Sequence, residues 1–409
     1  MYCNWLPILF ILKVSLCYSQ PESIQAIGAR KYLLYAVNPG EGFNLRRDVH
    51  MRVENLVRSL RKDEPWVLVL PPWPHLVHWR SNYPQGNIPW KMFFDLDSLN
   101  EYVPSIEYED FLKEYGHEID RILYLQNYAE GWTSGTWEDK IDPRDCINDV
   151  PYIKDNDSEH WKRLGPMFPE LRSKEFKCMS AQGFTSILTT QLLGRDNERA
   201  ILVDRFEQLL HSDFWGDDYW NARKSMVYAK ELREEGNRFM KEQYSYIPDS
   251  SKGRQKLSTP GPFMAVHLRR ADYHYARPDQ IPSIEGAAQQ LNKLKQETGL
   301  DHVFLASDAS EKERKLLKKL VSNLVWYKPK NPHLYGDGGV AIIDQWICAH
   351  ASYFVGSYES TFSFRIREDR QMLGMTRENT FNDICGIKDD ENDPHSCEKP
   401  TYWPRETPT

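Results

Sequence analysis

The C-terminal half of the chain alternates strand and helix so regularly that few folds can accommodate it. The apolar run Phe263–Leu268 precedes a helical pattern over Ser283–Glu297, and the short strand His302–Ala306 precedes a helix opened by the capping pair Ser310 and Glu313. Strand Leu324–Tyr327 leads to the loop Asp337-Gly338-Gly339 and a helix over Val340–His350; strand Tyr353–Val355 leads through Gly356 to Ser360-Thr361-Phe362, which opens a last helix. Strands joined through helices pair in parallel, and right-handed crossovers place helices on both faces. The reading is an α/β, doubly wound sheet whose ligand sits outside the carboxyl ends of its strands.

Phe263–Asp272 ends on a basic tip at such a position. Side-chain alternation puts His267 and Arg269 on one face. A planar guanidinium can grip a phosphate through two parallel hydrogen bonds. The alternative is that Arg269 and Arg270 pair with nearby acids, and the stretch alone leaves both open.

The N-terminal half begins in the same style. Lys31–Val37 has a buried-strand pattern, and Asn38–Asn44 breaks it with Pro39, Gly40 and Gly42. Leu45, Val49, Val53, Leu56 and Leu60 then share one helical face, and strand Trp66–Leu70 stops at Pro71-Pro72. This is one βαβ unit. A glycine loop opening a helix can approach a ligand closely and offer backbone N–H groups, but this one is neither G-x-G-x-x-G nor a P-loop. Residues 73–135 read as irregular, with a strand at Ile122–Leu125, and residues 136–195 as acidic and loop-like. Ala200–Val203 reads as a strand and Tyr219–Phe239 as a helix. The Pro-, Ser- and Gly-rich segment Ile247–Gly261 marks a boundary. With 409 residues there is room for two cores. The expected units are 20–246 and 247–409, both Rossmann-like, facing a central cleft.

A net charge of -7 supplies no broad basic field, which argues against nucleic acid as a partner. The first 19 residues resemble a secretory signal, with an apolar core from Trp5 to Leu16 and small residues near Ser19. Lys13 interrupts the core, and a signal anchor is the alternative; no later stretch could span a membrane. Removing the signal leaves Cys146, Cys178, Cys348, Cys385 and Cys397. Proximity in sequence suggests the disulfides Cys146–Cys178 and Cys385–Cys397, with Cys348 a buried free thiol in an apolar run. Asn156-Asp157-Ser158 is a glycosylation sequon. No Cys or His spacing suits zinc. Asp95-Leu96-Asp97 matches an Asp-x-Asp spacing but reads as a helix-start turn, while Glu107–Asp110 and Asp389–Glu391 read as solvated faces, so no metal site is expected.

Four blocks in order resemble the GDP-fucose protein O-fucosyltransferase family: Tyr32–Asp48, His267–Asp272, Asp337–Trp346 and Ser360–Arg365. The resemblance runs from about residue 30 to the end. It implies a two-domain GT-B glycosyltransferase of the endoplasmic reticulum lumen. Such an enzyme moves fucose from GDP-fucose to Ser or Thr of folded thrombospondin type 1 repeats, with inversion. The sister branch, which modifies EGF-like repeats, has no glutamate matching Glu41. The chain departs from the pattern in ending without a KDEL-type signal. Partners expected are GDP-fucose and folded thrombospondin-repeat proteins; the chain is expected to be a monomer and to need no metal cofactor.

With the resemblance, Glu41 becomes the general base, kept ionised by backbone N–H groups; its other role would be to favour the helix N-terminus. Arg269 would neutralise the departing diphosphate, and His267, beside Leu268, would touch the nucleotide. Gly40, Gly42, Phe43 and Asn44 would line the sugar end, although position alone makes Asn44 a helix N-cap. Asp344 would accept hydrogen bonds from guanine, or else pair internally with an arginine. Ser360, Thr361 and Phe362 suit a phosphate, and simple capping would use the same residues. Residues 73–135 are the expected acceptor groove. Competing readings are a transferase for another acceptor, such as EGF-like repeats, and a luminal quality-control binding module.

Overall fold

Strands whose residues are all buried must lie inside a sheet covered on both faces, and Lys31–Tyr35 and Trp66–Leu70 are of this kind. In the computed structural model, which describes residues 30–81, 84–131, 138–156, 158–248, 259–381 and 384, they are β1 and β2 of a nine-stranded sheet. The other strands are β3 (Ser105–Glu107), β4 (Glu118–Gln126), β5 (Lys140–Pro143), β6 (Tyr152–Lys154), β7 (Trp161–Arg163), β8 (Arg172–Gln182) and β9 (Ala200–Asp204). The order is β3-β2-β1-β9-β4-β8-β7-β6, with β5 also on β8. Pairing is parallel from β3 to β8, so that Leu33 stands between Leu68 and Ile201, and antiparallel beyond.

Residues 136–195 are therefore not loop-like, because β5 to β8 form one edge of this sheet. Edge strands are wet on one side and carry charges, which hides their pattern. The Cys146–Cys178 disulfide lies here as expected, while Cys385 and Cys397 fall outside the described residues, as do residues 1–19. Residues 73–135 are also more regular than expected, with helices at Leu96–Tyr102 and Tyr108–Glu114. Asp95 caps the first, accepting from the N–H groups of Asp97 and Ser98, as the helix-start reading requires. Glu107 is not solvated: it is buried and accepts from the N–H groups of Trp90 and Lys91.

The second sheet is all parallel, in the order β12-β11-β10-β13-β14. Its strands are β10 (Gly261–Leu268), β11 (Val303–Ser307), β12 (Leu324–Val325), β13 (Ala351–Val355) and β14 (Thr380–Phe381). Ser283 caps the helix Ile284–Thr298, and the Ser310–Glu313 capping box opens Glu311–Leu320. Asp337-Gly338-Gly339 is not a loop. It lies within the helix Pro332–Ala349, just after a kink at Gly336, whose φ is 61°. Glycine is needed at 338 for close approach: a Cβ there would stand 2.6 Å from Phe93 and 2.9 Å from Trp79.

The expected helix Tyr219–Phe239 is two helices, Asp217–Ser225 and Lys230–Tyr244, separated where Phe94 and Tyr228 form a bridge. Lys230–Tyr244 packs on the second sheet: Tyr244 stacks on Phe263 at 4.2 Å between ring centres, and Phe239 meets Phe304 at 5.5 Å. The main hydrophobic core thus continues from one sheet to the other. Beside it runs a buried ionic seam. Arg223 binds Glu368 at 2.8 Å and also Asp369, and Arg365 binds Glu368 at 2.9 Å and Asp48 at 3.3 Å. Cys348 is a buried free thiol, as expected. Among the described residues no helix is long and apolar enough to cross a membrane.

Candidate active site

A cavity of about 540 Å³ opens between the two sheets, where the helices starting at Phe43 and Thr361 point their N-termini and β10 and β11 end. The first turn of an α-helix has unsatisfied N–H groups and a positive dipole end. Gly42 caps Phe43–Leu60 without a side-chain hydrogen bond, and that first turn holds no acidic residue. Ser360 precedes Thr361–Met372, again without a side-chain cap. Both N-termini are left open to an anion. Gly42 also has a steric role, since a Cβ would stand 3.1 Å from the ring of His78.

Gly42, Phe43, Asn44, His267, Arg269, Asp344, Thr361 and Phe362 all line this cavity. Gly40, Glu41, Leu268 and Ser360 do not form its wall. Leu268 and Ser360 are buried, the Ser360 hydroxyl with no hydrogen-bond partner among the described residues, and Gly40 is exposed. Asn44 is not the helix cap; it sits inside the first turn. Asn156 is exposed.

His267 is buried, its Nδ1 lies 2.8 Å from Ser363 Oγ, and its ring stacks on Phe362 at 4.3 Å. Burial, assisted by the Arg269 charge, pushes its pKa down to about 3, so the imidazole is neutral. Arg269 is positioned through its backbone N–H, which donates to Ser357 Oγ, and through its guanidinium, which grips Asp272. Arg269 is thus ion-paired, as its acid-pairing reading has it, and it also lines the cavity. Arg270 is the buried pair, bound to Glu313 at 2.7 Å.

Glu41 sits half-buried next to the cavity, on a loop stapled from behind. Arg46 donates to the carbonyls of Glu41 at 3.0 Å and Asn38 at 2.8 Å, and the Asn38 N–H donates to Glu207. The Glu41 carboxylate makes no hydrogen bond among the described residues. Its pKa is raised, first by burial and then by Glu207, against the pull of Arg46, Arg205 and His78. This corrects the expectation that N–H groups keep it readily ionised. Glu41 precedes the cap, so the N–H groups at the helix start do not hold its carboxylate.

Asp344 has a buried Oδ1 with no partner, and burial holds its pKa well above the usual carboxylate range, with only Arg314 pulling the other way. Among the described residues no ion pair satisfies it, so the internal arginine pair is absent. A polar atom left unpaired in this way costs stability and asks for a ligand donor.

The sequence reading missed His78, Trp79, Arg80, Ser81, Asp308 and Arg314, which also line the cavity. Asp308 directly follows β11, and the rule that ligands sit beyond strand ends could have found it. Arg314 lies one turn into the next helix, with Nε buried and unpaired. The segment at 78–81 reaches the site through the tertiary fold, and no local pattern marks it. Among the described residues no group of three His, Cys, Asp or Glu could hold a metal ion.

The family model described as GDP-fucose protein O-fucosyltransferase matches residues 32–373. GDP-fucose protein O-fucosyltransferase 2 of Homo sapiens is 46% identical over 393 residues, covering 92% of this chain and 90% of the relative. The Caenorhabditis elegans protein of the same name is 39% identical over 423 residues, covering 97% of each. Among solved structures, POFUT1 in complex with GDP-fucose aligns with a TM-score of 0.55 at 16% identity, covering 85% of this chain and 96% of that one. Its apo form aligns with a TM-score of 0.54 at 15% identity, covering 84% and 95%. The structural likeness is one of fold: the chain is α/β and GT-B-like.

Proposed function

The chain belongs to the GDP-fucose protein O-fucosyltransferase family, and from that premise we propose that it fucosylates Ser or Thr of folded thrombospondin type 1 repeats with inversion. It is an enzyme that transfers fucose from GDP-fucose to protein. The observation that carries the site reading is a convergence. Two uncapped helix N-termini, the Arg269 guanidinium and the unpaired Asp344 carboxyl all meet one cavity between the sheets.

In this reading GDP lies across the ends of β10 and β11, its guanine toward Asp344 and its diphosphate between Arg269 and the helix at Thr361. The donor thus rests mainly on the unit 247–409. Fucose points toward Gly42, Phe43 and Asn44, on the unit 20–246. The acceptor hydroxyl attacks the anomeric carbon from the face opposite the diphosphate. As the new C–O bond forms, the bond to the phosphate oxygen breaks and GDP leaves with the electron pair. Glu41 takes the hydroxyl proton. A base belongs on the acceptor side, which suits a half-exposed carboxylate beside the cavity and not on its wall. Its raised pKa brings it closer to the operating pH, where a general base is more effective. Arg269, already ordered, meets charge where it grows in the transition state. The same groups neutralise the diphosphate without a metal ion.

Glu41 is what favours the thrombospondin-repeat branch over the EGF-repeat branch. The Cys146–Cys178 disulfide and the exposed Asn156 of a sequon support an oxidising, luminal setting such as the endoplasmic reticulum. The test is transfer from GDP-fucose to a folded thrombospondin type 1 repeat, beside a folded EGF-like repeat and unfolded versions of both. Wild type and Glu41→Ala are compared with and without EDTA. Transfer to the folded thrombospondin repeat alone, lost in the variant and indifferent to EDTA, is expected. Binding without transfer by wild type would favour a binding module. Transfer by Glu41→Ala would remove Glu41 as base.

A further inference from the structure

Asn44 lies in the wall of the cavity, and both its amide atoms have a definite place. Oδ1 accepts from Gln345 Nε2 at 2.9 Å and from Arg47 Nη1 at 3.2 Å. Nδ2 has no partner among the described residues. Gln345 is fully buried; its Oε1 accepts from Arg47 at 2.6 Å and lies 3.2 Å from Tyr228 Oη, and its Nε2 also lies 3.4 Å from the Phe362 carbonyl. Arg47 is likewise fully buried and donates to Tyr228 at 2.9 Å; Tyr228 in turn donates to Asp369 at 2.8 Å.

An amide can usually turn over, exchanging its donor and acceptor. Here it cannot. A guanidinium has donors and no acceptor, so the Gln345 atom facing Arg47 must be oxygen. That turns the Gln345 NH₂ toward Asn44. The Asn44 atom that meets both this NH₂ and Arg47 must then be oxygen as well. Its NH₂ is left to the cavity.

We propose that Arg47 and Gln345 are positioning residues that lock the Asn44 amide as a hydrogen-bond donor into the cavity, selecting a ligand with an acceptor there, such as an oxygen of the phosphate that carries fucose. The lock is built from both sides of the cleft, because Asn44 and Arg47 lie on the helix Phe43–Leu60 and Gln345 on the helix Pro332–Ala349. The donor is thus oriented before the ligand arrives, and binding need not supply the ordering of that side chain. This inference rests on the reading of the cavity as the GDP-fucose site.

The test is calorimetric binding of GDP. Gln345→Glu keeps the shape and the contact with Arg47 but sets an acceptor against Asn44 Oδ1, so the amide loses one of the two donors that hold it and its NH₂ is no longer fixed toward the ligand. GDP affinity is expected to fall about tenfold, the effect of one lost hydrogen bond to a charged group. In an Asn44→Ala background the same change is expected to leave GDP affinity as it stands in Asn44→Ala, while still altering thermal stability. A merely structural role would lower affinity equally in both backgrounds, and that result overturns the proposal, as would no effect in either. Asn44→Asp is the second variant, independent of any folding defect at 345. It offers no donor and is expected to bind GDP more weakly still; wild-type affinity would overturn the lock. Failure of wild type itself to bind GDP would overturn the reading of the cavity.

Discussion

Arg269 holds Asp272 in a two-point grip, Nε to Oδ1 at 2.9 Å and Nη2 to Oδ2, with its Cζ 4.5 Å from the ring centre of Tyr273. The guanidinium plane is therefore fixed without any ligand, and Nη1 makes no hydrogen bond among the described residues. Lysine keeps the charge but cannot hold a carboxylate at two points and reach a phosphate as well. Arg269→Lys is expected to lower kcat by about 10²-fold, with a smaller change in KM for GDP-fucose. Steady-state kinetics over a range of donor concentrations decides it. A loss confined to KM would make Arg269 a ground-state contact only.

The pH profile should report the setting of Glu41. Burial first and Glu207 second raise its pKa, so the carboxylate takes up its proton at a higher pH than an ordinary glutamate. A base must be ionised, and activity therefore falls as pH drops through that raised value. Glu207→Gln removes the negative neighbour and can keep an acceptor for the Asn38 N–H, which now meets Glu207 at 3.2 Å. Arg46, Arg205 and His78 remain and pull the pKa down. The acidic limb of kcat/KM is expected to move to lower pH in Glu207→Gln. A limb that does not move would assign it to another group.

Much of this site was legible because it obeys local rules. Phe263–Leu268 is a continuous apolar run, and the polar residues that end it had to stand at a strand's carboxyl end, where His267 and Arg269 are found. Ser310 and Glu313 announced a helix start through their own chemistry. The rest was hidden where tertiary contact overrides local pattern. Gly338 and Gly339 read as a loop because glycine usually breaks helices, yet Gly338 is glycine to let Phe93 and Trp79 close on a helix from another part of the chain. β8 went unseen because its first half, Arg172–Lys177, is half wet and charged. Asn44 was legible as a candidate site residue, and it lines the cavity, but its orientation was not, since that depends on Gln345, distant in sequence.

The ionic seam should dominate stability. Arg223 is buried between Glu368 and Asp369; Glu368 and Asp48 also hold Arg365, and Asp369 accepts from Tyr228. Buried charges are favourable only while paired, and removing one partner leaves the others desolvated and uncompensated. Arg223→Ala is expected to cost about 3–5 kcal/mol. Because the hydrophobic core runs through both sheets, urea unfolding should stay a single transition with a lower midpoint and an unchanged slope. Two separated transitions would show that the sheets fold independently.

Asp344 offers the sharpest check on nucleotide recognition. Its Oδ1 is buried without a partner, and its pKa stands well above the carboxylate range because burial disfavours the charged form. Guanine presents N–H donors that favour the ionised carboxylate. Binding should then lower the pKa and release a proton, and affinity should rise with pH until the free carboxyl ionises. Calorimetry of GDP binding in buffers of different ionisation heat measures that proton directly. Inosine diphosphate, which lacks the exocyclic amino donor, is expected to bind wild type about tenfold or more weakly than GDP. In Asp344→Asn, which is neutral and nearly isosteric, the difference between the two nucleotides should shrink and the proton release should vanish. Retention of both in the variant would place guanine elsewhere in the cavity and leave Asp344 as a wall residue only.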